Sequence, residues 1–475
     1  MSREARRHYV GGRWVEPAAP VRTFQTIDPA TEQPSGSVAL GGSADVDRAV
    51  AAARAARHAW AATPPAERRA VLARAAELLG QREDAFARAI TDEMGCPATL
   101  SAKAQVKLGS AHLRTGVQLL DAFAFEERVG GTRVRLEPVG VCALITPWNW
   151  PLNQVACKVA PALAAGCTMV LKPSEYSAYS ADLWAELMHD AGVPAGVFNL
   201  VQGDAATGAA LVEHPHVDLV SFTGSTRGGR AVAAAAAATL KRVHLELGGK
   251  SPAVVLDDAD LAKAVKATTI QVLQNSGQSC NAPTRLLVPA ARLGEAEAIA
   301  AGVMAKAVAG DPRDPSTTLG PVVSRAQYER IQALLEAGVQ EGARVVTGGP
   351  GRPAGRDSGW FVQPTLLADL RDDMQVVREE IFGPVLCLLG YADEAEAVAR
   401  ANATPYGLAA YVWAGSAERA QAVAEKLEAG SVHLNGAGPD FAAPFGGVKQ
   451  SGYGREWGVY GLRAFLEPKA LLGAA

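Results

Sequence analysis

Cys280 stands in Asn275-Ser-Gly-Gln-Ser-Cys-Asn-Ala282, a polar, glycine-containing segment that suits a reactive thiol better than a core one. The other five cysteines, Cys96, Cys142, Cys157, Cys167 and Cys387, form no C-x-x-C pair and read as buried thiols, so neither zinc nor a disulfide framework is expected. Glu246, in Glu246-Leu-Gly-Gly-Lys-Ser251, lies in an apolar run, where a carboxylate must be paired or protonated. It reads as a functional group with a shifted pKa or as a buried structural carboxylate. Asn149 is held between two tryptophans and two prolines in Thr146-Pro-Trp-Asn-Trp-Pro-Leu152, and a stiffly held amide is what an oxyanion needs. Phe222-Thr-Gly-Ser-Thr-Arg-Gly-Gly229 could cradle a phosphate, although it is not G-x-G-x-x-G and reads equally as a tight turn. Lys172-Pro-Ser-Glu175 offers a cation and a carboxylate to a phosphate and a ribose; its alternative is a solvated turn.

These residues need elements to hold them. Asp45 to Leu120 reads as a helical scaffold, with Thr63 offered as an N-cap before Pro64 and Pro65, and with Val71, Leu72, Ala75, Leu78 and Leu79 at helical spacing. From Gly140 onward, strands are expected at Val141–Ile145, Cys167–Leu171, Val197–Val201, Leu219–Phe222 and Val243–Leu247. Helices Ala181–Ala191 and Gly229–Leu240 separate them. Apolar strands with crossover helices imply a parallel doubly wound sheet whose ligands sit at the carboxyl ends of the strands. A second such pattern begins near Ser251, with strands at Ala253–Leu256, Arg285–Val288, Val362–Leu366, Val385–Leu389, Ala410–Trp413 and Ser431–Leu434, helices at Leu261–Asn275 and Glu418–Leu427, and a surface loop at Gly348–Gly359. The patterns meet at Glu246–Ser251, so a shared site would lie in the cleft between them.

A chain of 475 residues with 48 % hydrophobic and 20 % charged residues can bury a large core, and its length suggests roughly two to four domains. A net charge of −3 argues against a nucleic-acid partner. The apolar stretches are too short and broken for a membrane span, and no secretory h-region follows the charged start, which together point to the cytoplasm.

The sequence resembles the NAD(P)-dependent aldehyde dehydrogenase superfamily of the non-acylating type. The resemblance runs through Pro147-Trp-Asn-Trp-Pro-Leu152, Lys172-Pro-Ser-Glu175, Phe222-Thr-Gly-Ser-Thr226, Glu246-Leu-Gly-Gly-Lys250, Gly277-Gln-Ser-Cys280, Glu379-Glu-Ile-Phe-Gly-Pro384 and Pro444-Phe-Gly-Gly447, in order over essentially the whole chain. It implies an α/β fold of two doubly wound parallel-sheet domains: a cofactor domain from residues 1–117 and 139–248, and a catalytic domain from 249–450. A small bridging element from 118–138 and 451–475 would assemble a homodimer or homotetramer.

By the same resemblance, Cys280 is the nucleophile, Asn149 and the Cys280 backbone N–H are the oxyanion donors, and Glu246 is the general base. An aldehyde would pass through a thiohemiacetal and a thioester to the carboxylic acid. Lys158 and Glu456 match a proton relay from the base. Cofactor contacts carried over in this way are Ile145, Thr146, Trp148, Lys172, Ser174, Glu175, Gly208, Phe222, Gly224, Ser225, Leu247, Gly248, Glu380 and Phe382. Glu175 would accept from ribose hydroxyls and repel a 2′-phosphate, which favours NAD over NADP. At Gly228 the sequence departs from the family, where a branched aliphatic residue packs against adenine. Trp150, Asn153, Gln154, Cys157, Gln274, Phe441 and Phe445 would line the substrate tunnel, and the amides among them suggest a polar aldehyde. Two other readings are a CoA-acylating relative, against which Glu246 speaks, and a non-catalytic protein on the same fold, against which the joint presence of Cys280, Glu246 and Asn149 speaks.

Overall fold

The computed structural model describes residues 3–473, so the outermost residues of the expected segments, 1–2 and 474–475, lie outside it. Five parallel strands form the centre of one sheet: Arg242–Glu246, Leu219–Thr223, Val141–Thr146, Thr168–Pro173 and Phe198–Leu200. Val141–Thr146 and Thr168–Pro173 are buried along their whole length, because helices cover both faces. Antiparallel strands close the edges, Gly452–Tyr453 on one side and His8–Val10 with Arg13–Val15 on the other. The N-terminal pair carries only three residues per strand, too few for periodicity to reveal.

The second sheet runs Arg344–Thr347, Thr365–Ala368, Val385–Tyr391, Arg285–Pro289, Pro252–Val255, Ala409–Trp413 and Ser431–Leu434, all parallel except the first. The expected helices Ala181–Ala191 and Gly229–Leu240 lie at Ala178–Asp190 and Thr226–Ala237, and other expectations shift for a local physical reason. The strand expected at Val362–Leu366 begins at Thr365, since Pro364 has no N–H to give the ladder. The helix expected at Glu418–Leu427 is Ala417–Ala424, set by Ser416, whose hydroxyl caps Arg419 N. Thr63 is not an N-cap; its hydroxyl bonds back to Ala59 O, and Pro64 holds the cap position of the next helix.

A third sheet joins Glu126–Val129, Thr132–Pro138 and Leu466–Leu471. The segment 451–475 is therefore shared, its first residues adding to the cofactor-side sheet and its last ones to this small sheet. Residues 118–122 likewise belong to the helix Val106–Ala122. Large side chains such as Trp184, Phe86 and Leu144 fill the space between the first sheet and its helices, and truncating one of them would cost about 3–5 kcal/mol. No helix among the described residues is long and apolar enough to cross a membrane.

Candidate active site

Helix Leu261–Leu273 starts at Asp260, whose carboxylate accepts from Lys263 N, and it ends two residues earlier than the sequence suggests. Asn275, Ser276 and Gly277 then take left-handed conformations in succession, with φ of 51°, 56° and 75°. Hydrogen bonds hold this bend: Asn275 Nδ2 donates to Asn149 O at 2.8 Å and Ser276 Oγ donates to Gly320 O at 2.7 Å. The chain emerges at Cys280, which is part-exposed, unlike the other five cysteines. Burial, reinforced by Glu380 and Glu246, pushes the Cys280 thiol upward, so it rests as SH and needs a base.

Asn149 follows the strand Val141–Thr146 and is 3 % exposed. One hydrogen of its Nδ2 goes to Gln278 O at 3.0 Å, which orients the amide and leaves the second hydrogen available. Trp150 Nε1 donates to Ser279 Oγ at 2.6 Å, tying this platform to the nucleophile's own loop. Asn149, Cys280 and Glu246 line one cavity of about 200 Å³, together with Pro147, Trp148, Thr223, Gly224, Ser225, Leu247, Gly248, Glu380 and Phe382. It lies at the carboxyl ends of the first sheet's strands and is closed by the segments that lead into the second sheet's strands Arg285–Pro289 and Val385–Tyr391.

Glu246 ends its strand at 3 % exposure. His244 Nε2 lies 3.2 Å from its Oε1, and its Oε2 has no partner among the described residues. Burial and the nearby Glu456 push the Glu246 carboxyl well above its usual range, against the opposing pull of Lys158. Lys158 and Glu456 form a fully buried ion pair, and Lys158 Nζ also donates to Ser221 Oγ at 3.0 Å. Although burial works against it, Lys158 and His244 hold the Glu456 carboxyl below its usual range.

The cofactor side fits a dinucleotide. Ser225 caps helix Thr226–Ala237, accepting from Gly228 N at 3.1 Å, so the helix N-terminus faces the cavity as an anion site. A Cβ at Gly248 would overlap Glu380, whose Oε1 accepts from Gly249 N at 3.0 Å. Burial raises the Glu380 carboxyl to about 7. Trp148 and Phe382 meet edge to face at 5.6 Å. Lys172 Nζ is buried and donates to Gly203 O at 2.8 Å, Ser174 Oγ lies 3.5 Å from Glu175, and Gly208 packs on Lys172 and Ile145. Buried Thr146 Oγ1 and Thr223 Oγ1 lack partners among the described residues, as donors awaiting a ligand do. At Gly228 the ring of Phe222 occupies the space that a side chain there would fill.

The tunnel residues divide. Asn153 Oδ1 accepts from His112 Nε2 at 2.8 Å, which occupies its oxygen, and the Cys157 thiol donates to Glu456 at 3.3 Å. Gln274 is exposed on a separate outer groove with Leu100, Ile270 and Leu273. Gln274 therefore corrects the expectation of a lining amide, while among these amides Gln154 keeps a buried unpartnered oxygen. Phe441 and Phe445 instead join Trp457 and His112 in an aromatic cluster, with ring centres 4.5–5.4 Å apart.

Sequence reading missed His244, Ser221, His112, Trp457, Gln327 and Arg330. His244 was accessible, since two residues before Glu246 on a strand means the same face. Gln327 holds the Phe382 carbonyl at 3.0 Å from a helix with no motif.

A thiol, an oriented amide, a buried carboxylate and a capped helix N-terminus gathered in one cavity are the groups that covalent capture of a carbonyl and oxidation by a dinucleotide require. Comparison with known proteins agrees. Residues 14–471 match the model of the aldehyde dehydrogenase family. A 3-succinoylsemialdehyde-pyridine dehydrogenase from a Pseudomonas species is 52 % identical over 473 residues, 99 % of each chain. Among solved structures, a variant of Pseudomonas syringae aldehyde dehydrogenase C bound to NAD+ and octanal superposes with a TM-score of 0.98 at 50 % identity, covering 99 % of this chain and 97 % of that one. Mycobacterium tuberculosis aldehyde dehydrogenase with NAD+ gives 0.97 at 39 %, covering 100 % of both. The chain belongs to the aldehyde dehydrogenase family: it is an oxidoreductase that converts an aldehyde to its carboxylic acid with reduction of a nicotinamide dinucleotide.

Proposed function

We propose that the protein is an NAD-dependent dehydrogenase of aldehydes carried on an aromatic or apolar body, acting through Cys280. The aromatic cluster of Phe441, Phe445, Trp457 and His112, built around two of the expected tunnel positions, supports the substrate reading. The named activity of the Pseudomonas relative and the octanal in the P. syringae structure agree with such a pocket.

Cys280, its thiol proton released to solvent water, adds to the aldehyde carbon while the free N–H of Asn149 and the Cys280 backbone N–H hold the oxygen as an anion. The nicotinamide, when bound, accepts the hydride that this tetrahedral carbon releases, which leaves a thioester on Cys280. Glu246 then takes a proton from the water that opens the thioester. Glu380 would anchor the nicotinamide ribose, Phe382 and Trp148 its ring, Ser225 the pyrophosphate, and Lys172 with Glu175 the adenosine ribose. Phe222 supplies the apolar surface for adenine that Gly228 lacks. A negative charge at Glu175 selects NAD. The small third sheet, with the open edge strand Glu126–Val129, is the surface through which copies of the chain would assemble.

The test is production of the reduced cofactor from pyridine- or phenyl-bearing aldehydes, alkanals and charged aldehydes of equal length. Highest kcat/KM for aromatic or alkyl aldehydes supports the reading. A charged aldehyde as the best substrate removes it.

A further inference from the structure

His244 lies where four elements converge on the site. It precedes Glu246 by two residues on Arg242–Glu246 and shares its face of the sheet. The neighbouring strand Leu219–Thr223 contributes Ser221, the helix Pro151–Ala165 contributes Lys158, and the segment after Gly452–Tyr453 contributes Glu456 and Arg455. Nothing polar about the imidazole is wasted: Nε2 lies 3.2 Å from Glu246 Oε1, while Nδ1 faces Ser221 Oγ at 3.5 Å and Glu456 Oε1 at 4.0 Å. Ser221 already accepts from Lys158 Nζ, so its own O–H is free to donate toward Nδ1. The tautomer with the hydrogen on Nε2 lets both ring nitrogens pair, Nδ1 accepting from Ser221 and Nε2–H donating to Glu246. Gly454, at φ 90°, packs directly on the ring, and a Cβ there would overlap the imidazole carbon.

We propose that His244 is a positioning residue for thioester hydrolysis: its Nε2–H holds Glu246 Oε1 and leaves Oε2 as the one oxygen that takes the proton of the attacking water. The inference rests on the reading of Glu246 as the base. In the step itself, the water oxygen bonds to the acyl carbon as its proton passes to Oε2. Collapse breaks the C–S bond and releases the carboxylic acid, and the Cys280 thiolate recovers a proton from Glu246.

The charges around the ring favour this role. Burial, with Lys158 and Arg455, lowers the His244 pKa to about 4 against the upward pull of Glu456, so the ring stays a neutral donor throughout the working range. A hydrogen bond to the ionised carboxylate favours that form and works against the burial and the Glu456 charge that push Glu246 toward protonation.

The experiment follows decay of the acyl-enzyme on Cys280, loaded with an activated ester without cofactor, by mass spectrometry across the pH range in the full-length protein. His244→Leu is expected to move the acid-limb midpoint of deacylation upward by about one pH unit and to leave acylation unchanged. His244→Gln, which can return an N–H to Oε1, is expected to bring the midpoint back. If His244→Leu does not fold, His244→Asn, too short to reach Glu246, takes its place with the same expectation. A wild-type midpoint in the Leu or Asn variant overturns the proposal, as does equal slowing of the Leu and Gln variants at every pH with no shift. Glu246→Gln is measured alongside. Undiminished deacylation there removes the base assignment itself, whereas a stalled acyl-enzyme there with a wild-type profile for His244→Leu removes only the role of His244.

Discussion

Cys280 depends on neighbours that were separately legible and on others that were not. Its loop, Asn149 and Glu246 stand out by residue type alone, because a thiol in polar surroundings and a carboxylate in an apolar run both demand explanation. The hydrogen-bond partners that orient them, Gln278 O for Asn149 and His244 for Glu246, are tertiary facts that no local pattern encodes. Replacing Cys280 by Ala is expected to cut aldehyde oxidation by about three orders of magnitude or more while cofactor binding, read by calorimetry, persists. Glu246→Gln is expected to give a burst of reduced cofactor and then turnover slowed about 10²–10⁴-fold, seen by stopped flow. Loss of the burst instead would assign Glu246 to thiol activation. At Glu380, with its carboxyl near 7, protonation removes an acceptor for ribose hydroxyls. NAD affinity is therefore expected to weaken as pH falls below that value, and Glu380→Gln to flatten the dependence. For Glu175→Gln, the ratio of kcat/KM for NAD over NADP is expected to fall.

At the scale of elements, the crossover pattern could be read because buried parallel strands are apolar throughout and their helices are long. Short edge strands could not, and His8–Val10 shows what such an edge holds. His8 is fully buried, accepts from Gln202 N at 3.2 Å through Nδ1, and has a pKa lowered to about 4 by burial, partly offset by Asp45. The unfolded chain takes up this proton from about pH 6.5 downward and the folded one only near 4, so stability falls as pH drops through that window. Between neutral pH and about pH 5 the loss is about 2 kcal/mol. His8→Asn is expected to show a correspondingly smaller drop in Tm over that interval by calorimetry. The bend at Asn275–Gly277 was hidden for a different reason: three left-handed residues, two of them not glycine, are set by bonds to Asn149 and Gly320 and not by their own preferences.

For the whole molecule, the first large sheet and the small sheet share one C-terminal tail. Gly452–Tyr453 closes the first sheet, Glu456 enters the site, and Leu466–Leu471 completes the small sheet. Removal of residues 466–475 is expected to yield a smaller species by light scattering, because Thr132–Pro138 loses its partner strand. The Lys158–Glu456 pair spans 298 positions of sequence, and this bears on how the protein is made. Lys158 and the rest of the first sheet's centre are synthesised long before Glu456, so a chain that ends before Glu456 leaves the buried ammonium without its hydrogen-bonded carboxylate, which costs about 3–5 kcal/mol. Glu456→Gln, which keeps the shape and removes the charge, is expected to lower Tm by calorimetry as the buried ammonium loses its counter-charge.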